Sequence, residues 1–277
     1  MMTRWLSILS VLLCGTATGC SMLNDHGSAA DATTSPVISR ILRSGELRVG
    51  TSGSQPPLNA TAKDGTIIGF DMDLAAQLAG AMGVKLKVVP MPFADLLPAV
   101  QKGEVDMVLS GLSMTPERNL RVAFVGPYLV SGMSILTKSK TMAKLRRAEE
   151  MDVPTIKVAA LRSSTAVTFA QQTIPQATLV LVGSLDEGVE MVRAGTVDAL
   201  LADHPFCSVT VYRYRGEDLS TLETPFTFEP LGIALPPNDP LLVNWTQNAL
   251  ADMDDSGAVY DMMYQWFEED DWLQRLK

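Results

Sequence analysis

The sequence predicts an α/β protein of two similar lobes, each a mainly parallel sheet flanked by helices, joined by a two-stranded hinge. Three observations predict it. Short apolar runs alternate with helical segments through most of the chain, the order that builds a parallel sheet covered on both faces. The chain also echoes itself: Val100-Gln101-Lys102-Gly103-Glu104-Val105-Asp106-Met107-Val108-Leu109-Ser110 matches Val192-Arg193-Ala194-Gly195-Thr196-Val197-Asp198-Ala199-Leu200-Leu201-Ala202. Each copy reads as a helix, a glycine cap and a Val-Asp pair leading a buried strand, and two such units about 90 residues apart suggest two lobes rather than one sheet. Finally, the chain leaves the first lobe after Gly132 and returns through residues 226–235, a second crossing between lobes.

The elements follow in order. Residues 37–42 have helical spacing closed by Gly45, and 47–50 read as a strand. Residues 51–58 form a polar loop, and Asp64-Gly65 a turn. Gly69-Phe70-Asp71 opens a long helix ending near Gly83. Residues 84–89 are a strand, 93–101 a helix capped by Gly103, and 105–109 a strand. In the second lobe, 156–160, 178–182 and the echoed 197–201 are strands. Helices run from the Leu161–Thr165 loop through Gln172 and over 185–193. Helices at 239–252 and 260–267 close the chain and are expected to pack on the first lobe.

Composition sets limits. The 277 residues suffice for one large or two medium domains. With 47% hydrophobic and 19% charged residues the composition is globular, and a net charge of −9 with no basic run argues against nucleic acid. The N-terminus reads as a leader: Arg4, then an apolar run over 5–13 too short to span a bilayer, then Ala17-Thr18-Gly19-Cys20. Residues 20–36 have tether composition. The two other cysteines, Cys14 in the leader and Cys207 in an apolar setting, leave no internal disulfide after cleavage, and Cys207 reads as a core residue.

The stretch organising the chain is 108–128. An apolar strand runs into Ser110, Gly111 and Ser113; Thr115 is placed to N-cap a helix with Pro116 at its first position. Free amides and the positive end of the helix dipole are expected beside Ser110, Gly111 and Ser113, with the planar fork of Arg118 turned to the same spot. Such a set suits a small anion, most simply a carboxylate. The plain alternative is an ordinary helix start with a solvated arginine. Asp203 ends the echoed strand in the second lobe, where open α/β sheets bind ligands; its alternative is a helix N-cap before Pro205. A guanidinium in one lobe and a carboxylate in the other match the two charges of an α-amino acid only when the lobes meet.

Taken together, Gly69-Phe70-Asp71-Met72-Asp73-Leu74, residues 93–106, Ser110 to Arg118, residues 124–128, Ser163-Ser164-Thr165 and residues 195–203 resemble the bacterial extracytoplasmic solute-binding proteins of the polar amino-acid type (family 3), the receptors of ABC importers. The resemblance implies a two-lobed periplasmic-binding-protein fold (type II), with residues 37–131 plus 230–277 as lobe 1 and 132–229 as lobe 2. It implies Arg118 as the clamp on a ligand α-carboxylate, and Ser110, Gly111 and Ser113 as the loop beside it. Asp203 becomes the partner of the α-ammonium, Ser164 and Thr165 the closing loop, and Phe93 a lining aromatic. Gln55 stands where the family usually has an aromatic, and Ser52 where many members have an acid; both departures favour a polar or small side chain over a basic one. Ala17-Thr18-Gly19-Cys20 is similar to a lipoprotein signal, implying cleavage of residues 1–19 and lipid on Cys20; the alternative is an ordinary signal peptide cut nearby. The implied protein is a monomer outside the cytoplasm, held on a membrane, with an amino acid ligand, a permease partner and neither metal nor cofactor. Two other functions belong to the same fold: an enzyme of the cyclohexadienyl dehydratase type, for which His204 is the one histidine beyond His26 of the tether, and a ligand-sensing adaptor.

Overall fold

A computed structural model of the chain describes residues 35–276. The leader, Cys14, Cys20, His26 and the tether up to residue 34 lie outside the described residues. The fold begins at Ser35, two residues before its expected start, because that buried side chain is put to use. Its Oγ accepts from Ile38 N at 2.9 Å and donates to Asp239, capping the first helix, α1 (Pro36–Ser44).

The first half runs through β1 (Glu46–Thr51), β2 (Ser54–Gln55), β3 (Asn59–Thr61), β4 (Ile67–Ile68), α2 (Phe70–Ala81) and β5 (Lys85–Pro90). A 3₁₀ turn then leads into α3 (Leu96–Gln101), followed by β6 (Met107–Val108), α4 (Pro116–Asn119) and β7 (Ala123–Ser131). The second half comprises β8 (Met133–Thr137), β9 (Lys157–Leu161), α5 (Thr165–Thr173), β10 (Thr178–Val182), α6 (Leu185–Arg193), β11 (Ala199–Asp203), α7 (His204–Arg213) and β12 (Ser220–Thr221). The chain returns through β13 (Glu229–Leu235) to α8 (Pro240–Asp255) and α9 (Ala258–Met263). The loop expected at 51–58 contains β2, which pairs with β3 in a small separate sheet.

Two five-stranded sheets result, ordered β5-β1-β6-β13-β7 and β10-β9-β11-β8-β12. In each, four of the five strands run the same way: β5-β1-β6 and β10-β9-β11 pair in parallel, and β7 and β12 share their direction, while β13 and β8 run opposite and make the antiparallel pairings. The antiparallel neighbours β13 and β8 are the strands that enter from the crossings, so the direction of entry decides their sense. At the first crossing Gly132 has no room for a side chain: a Cβ there would stand 2.0 Å from the Thr227 carbonyl oxygen.

The sequence echo proves to be one device used twice. Gly103 and Gly195 end their helices at φ 71° and 69°, the left-handed region that glycine enters at no steric cost. The acid after each then makes a reciprocal pair with the neighbouring strand. Arg48 N donates to Asp106 Oδ2 at 2.7 Å and Asp106 N to the Arg48 carbonyl at 2.9 Å. Lys157 N donates to Asp198 Oδ2 at 2.8 Å and Asp198 N to the Lys157 carbonyl at 2.8 Å. The acid fixes the register of β6 on β1 and of β11 on β9, and so sets where both strands deliver their carboxyl ends.

One core packs α2, α8 and α9 on the first sheet through Phe70, Leu74, Leu78, Leu242, Met262 and Trp266. Trp266 Nε1 also donates to Asp73 at 2.7 Å, tying the C-terminal segment to α2 as expected. A second buried cluster runs without a break from Phe93, Leu96 and Val108 to Leu161, Leu185 and Leu200, so apolar surface is shared where the lobes meet.

The two echoed acids differ in burial. Asp106 is 1% exposed and pairs with Arg40 and Arg48, whereas Asp198 is exposed. Asp106→Ala is expected to lower stability by about 3 kcal/mol, the scale for stripping a buried ion pair of one partner, and Asp198→Ala by about 1 kcal/mol, the scale for one exposed hydrogen bond. Urea unfolding midpoints of the two variants check the ranking.

Candidate functional site

The site lies where β6, β11 and the α5 loop end, against the β7–β13 pair. Thr115 Oγ1 accepts from Arg118 N at 3.3 Å, as an N-cap should. The helix it caps is a single turn, however, because Leu120-Arg121-Val122 leads directly into β7. One turn sums too few peptide dipoles to hold an anion. The expected free amides are also engaged in part: Gly111 N donates to Asp71 Oδ2 at 3.1 Å, and Met114 N to the Pro230 carbonyl at 2.8 Å. The formal positive charge at this spot comes from Arg118.

Arg118 is half-buried, not a solvated surface residue. Nη1 donates to the Ser113 carbonyl at 2.9 Å and Nη2 to the Ser163 carbonyl at 3.4 Å. Ser163 holds φ 65°, a strained conformation for a residue with a side chain. The guanidinium carbon lies 5.9 Å from the centre of the buried Phe93 ring, placing the ring beneath the charge. None of the ion pairs among the described residues involves Arg118. Burial pushes its pKa down, and the fields of Glu229 and then Asp203 push it back up.

Asp203 precedes α7 but does not cap it with its side chain. Its Oδ1 accepts from Ser131 Oγ on β7 at 3.0 Å. Burial raises its carboxyl to about 7; Glu229 adds to the rise, while the Ser131 bond and Arg118 oppose it. A carboxyl near 7 changes charge in the physiological range. Asp203 lines a small cavity of about 20 Å³ with Gln55 of the first half and Leu161, Ser164, Thr165 and Leu185 of the second. Gln55 is buried, and its Oε1 has no hydrogen-bond partner.

The other hydroxyls are committed within the protein. Ser110 Oγ accepts from Ser52 N at 2.9 Å and donates to Ser52 Oγ at 3.1 Å, and Ser52 Oγ donates to Asn59 Oδ1 at 2.9 Å. Ser164 Oγ donates to the Leu161 carbonyl at 2.6 Å. Ser113 Oγ and Thr165 Oγ1 both donate to Glu229 Oε2, at 2.7 and 2.9 Å. A hydroxyl has one proton to give, so these side chains shape the cleft more than they offer donors to it.

Two groups escaped the sequence reading. Glu229 is one; its only signal is an acid between Phe228 and the apolar run Leu231–Leu235. Asp71 is the other. It is 0% exposed and accepts from Asn59 Nδ2 at 2.8 Å, Gly111 N at 3.1 Å and Tyr128 Oη at 2.8 Å. Burial raises its carboxyl to about 7, against the pull of these three bonds. Through Asn59, which accepts from Ser52 Oγ, and through Gly111 it ties the loop after β1 to the loop that carries Ser110 and Ser113. Its signal was an acid at the buried start of an apolar helix. His204 contacts Ser134 Oγ at 3.4 Å and lines a different groove, with Tyr212 and Trp266. Cys207 is buried in the core, where burial raises its thiol pKa.

Comparison with known proteins agrees with this architecture. The L-cystine-binding protein TcyJ of Escherichia coli K12 is 23% identical over 234 residues, covering 84% of this chain and 87% of its own. The cyclohexadienyl dehydratase of Pseudomonas aeruginosa is 27% identical over 231 residues, covering 83% and 86%. The crystal structure of a putative binding component of an ABC transporter from Wolinella succinogenes, complexed with lysine, superposes with a TM-score of 0.78 at 35% identity, covering 83% of this chain and 99% of that one. The profile of the bacterial extracellular solute-binding proteins, family 3, matches residues 47–269, and the chain belongs to that family, with its two-lobed type II binding-protein fold.

Proposed function

We propose that this protein is an extracytoplasmic receptor. It binds a small amino acid between lobe 1 (37–131 plus 230–277) and lobe 2 (132–229) and delivers it to an ABC permease, held at the membrane by lipid on Cys20. The observation that carries the reading is a split charge pair: Arg118 stands on the first half, Asp203 on the second, and each lies in the other's field without being paired. A zwitterion supplies the missing partner to both. Because the two groups approach only when the lobes meet, the ligand favours the closed form by contacts the open form lacks. Charge-assisted hydrogen bonds contribute about 1.5–3 kcal/mol each. After the costs of association a net of about −8 kcal/mol, micromolar affinity, is expected.

The enzyme reading has one observation in its favour, since a carboxyl titrating near 7 is what general acid–base chemistry needs. The histidine that would assist it faces another groove. Purified protein is expected to leave prephenate unchanged.

Two measurements test the receptor. A thermal-shift screen against the twenty amino acids finds the ligand, because binding raises apparent stability. Calorimetry then compares variants: Arg118→Ala is expected to weaken binding at least about 100-fold, the worth of one to two lost charge-assisted bonds, with the circular dichroism spectrum unchanged. Unaltered affinity removes Arg118 from the site. The pH dependence follows from Asp203. Below about 7 its carboxyl is protonated and holds no ammonium; above, it is charged. Affinity should therefore fall about tenfold from pH 8 to pH 6, the loss expected one unit below the pKa, and Asp203→Asn should flatten the profile at a weaker value.

A further inference from the structure

Glu229 opens β13 opposite Ser131 on β7, so it stands on the strand pair that joins the lobes. Its Oε2 is held by Ser113 from one lobe and Thr165 from the other, and its Oε1 accepts from Thr227 Oγ1 at 3.2 Å. Ser131, its pairing partner, holds Asp203. One strand pair thus brings two carboxylates to a cleft with one guanidinium, and none of the ion pairs among the described residues involves any of the three. Hydroxyls orient a carboxylate without cancelling its charge.

Above about pH 7, where Asp203 is ionised, the charges at the cleft are Arg118 at +1 and Asp203 and Glu229 at −1 each, a sum of −1. A zwitterion with a neutral side chain satisfies Arg118 and Asp203 and leaves the half-buried Glu229 without a counter-charge, an arrangement that costs free energy. A ligand with a second positive charge brings the sum to zero. The buried, partnerless Oε1 of Gln55 at the same cavity calls for a ligand rich in donors. We propose that Glu229 is a specificity-determining residue and that the cleft selects amino acids whose side chain carries a positive charge. This reverses the expectation drawn from Ser52 and Gln55: the acid is supplied from the hinge strand rather than from the loop after β1. The inference rests on the amino acid reading above.

The test uses ligand pairs that differ in charge at nearly constant shape: arginine against citrulline and lysine against norleucine, titrated calorimetrically into the full purified chain. The charged member is expected to bind at least about tenfold tighter, or 1.4 kcal/mol, and Glu229→Gln to collapse that ratio below about threefold. A merely structural role lowers both affinities alike and leaves the ratio standing, which overturns the proposal. Glu229→Asp should restore a preference, and it also guards against a misfolded Gln variant. Equal affinity within each pair for the unaltered protein overturns the inference and spares the receptor reading; failure of every amino acid to bind sinks both.

Discussion

Two charges on separate halves of a chain, close enough to feel each other and lacking a partner in the protein, are unusual because each is costly to bury alone. Most polar groups around Arg118 and Asp203 avoid that cost by bonding within the protein. Ser110 and Ser52 bond each other, Ser164 bonds the Leu161 carbonyl, and Gly111 bonds Asp71. The guanidinium takes two backbone carbonyls, from Ser113 and Ser163, which satisfy donors but not charge. The rest of the cleft can be understood as the framework that keeps this imbalance in place.

Asp71 shows how much of that framework is electrostatic. A fully buried carboxyl at about 7 is tolerated because three donors converge on it, and those donors belong to β3, to the loop after β6 and to β7. A leucine at the same helical position would pack, yet it would leave the Gly111 amide and the Tyr128 hydroxyl without partners. Satisfying buried donors is often worth more than adding apolar area. The carboxylate therefore acts as a pin through three segments that sequence proximity does not join.

Much of this was legible in advance because it is local. The glycine caps, the Val-Asp pairs and Thr115 before Pro116 are signals read within a few residues, and the strands at 178–182 and helix at 185–193 fall where periodicity put them. Connectivity accounts for what local pattern does not show: β8 and β13 run against their sheets because they enter from the crossings, and α4 stops after one turn because the chain feeds directly into β7. Glu229 and Asp71 were missed for a related reason. A residue's role in a cleft depends on partners distant in sequence: Glu229 meets Thr165 and Ser113 only after both lobes have folded.

The strand pair β7–β13 carries the consequence furthest. Ser131 and Glu229 face each other across it, one holding Asp203 and the other held by hydroxyls from both lobes. In the proposed receptor, the segment that links the two closing lobes also brings Glu229 to the cleft. Closure of that kind would decide whether Ser113 and Thr165, which come from different lobes, reach Glu229 together, and any ligand that binds one arrangement better shifts the population toward it. Recognition and closure in such a design draw on the same few atoms, so a substitution aimed at specificity also reaches the motion.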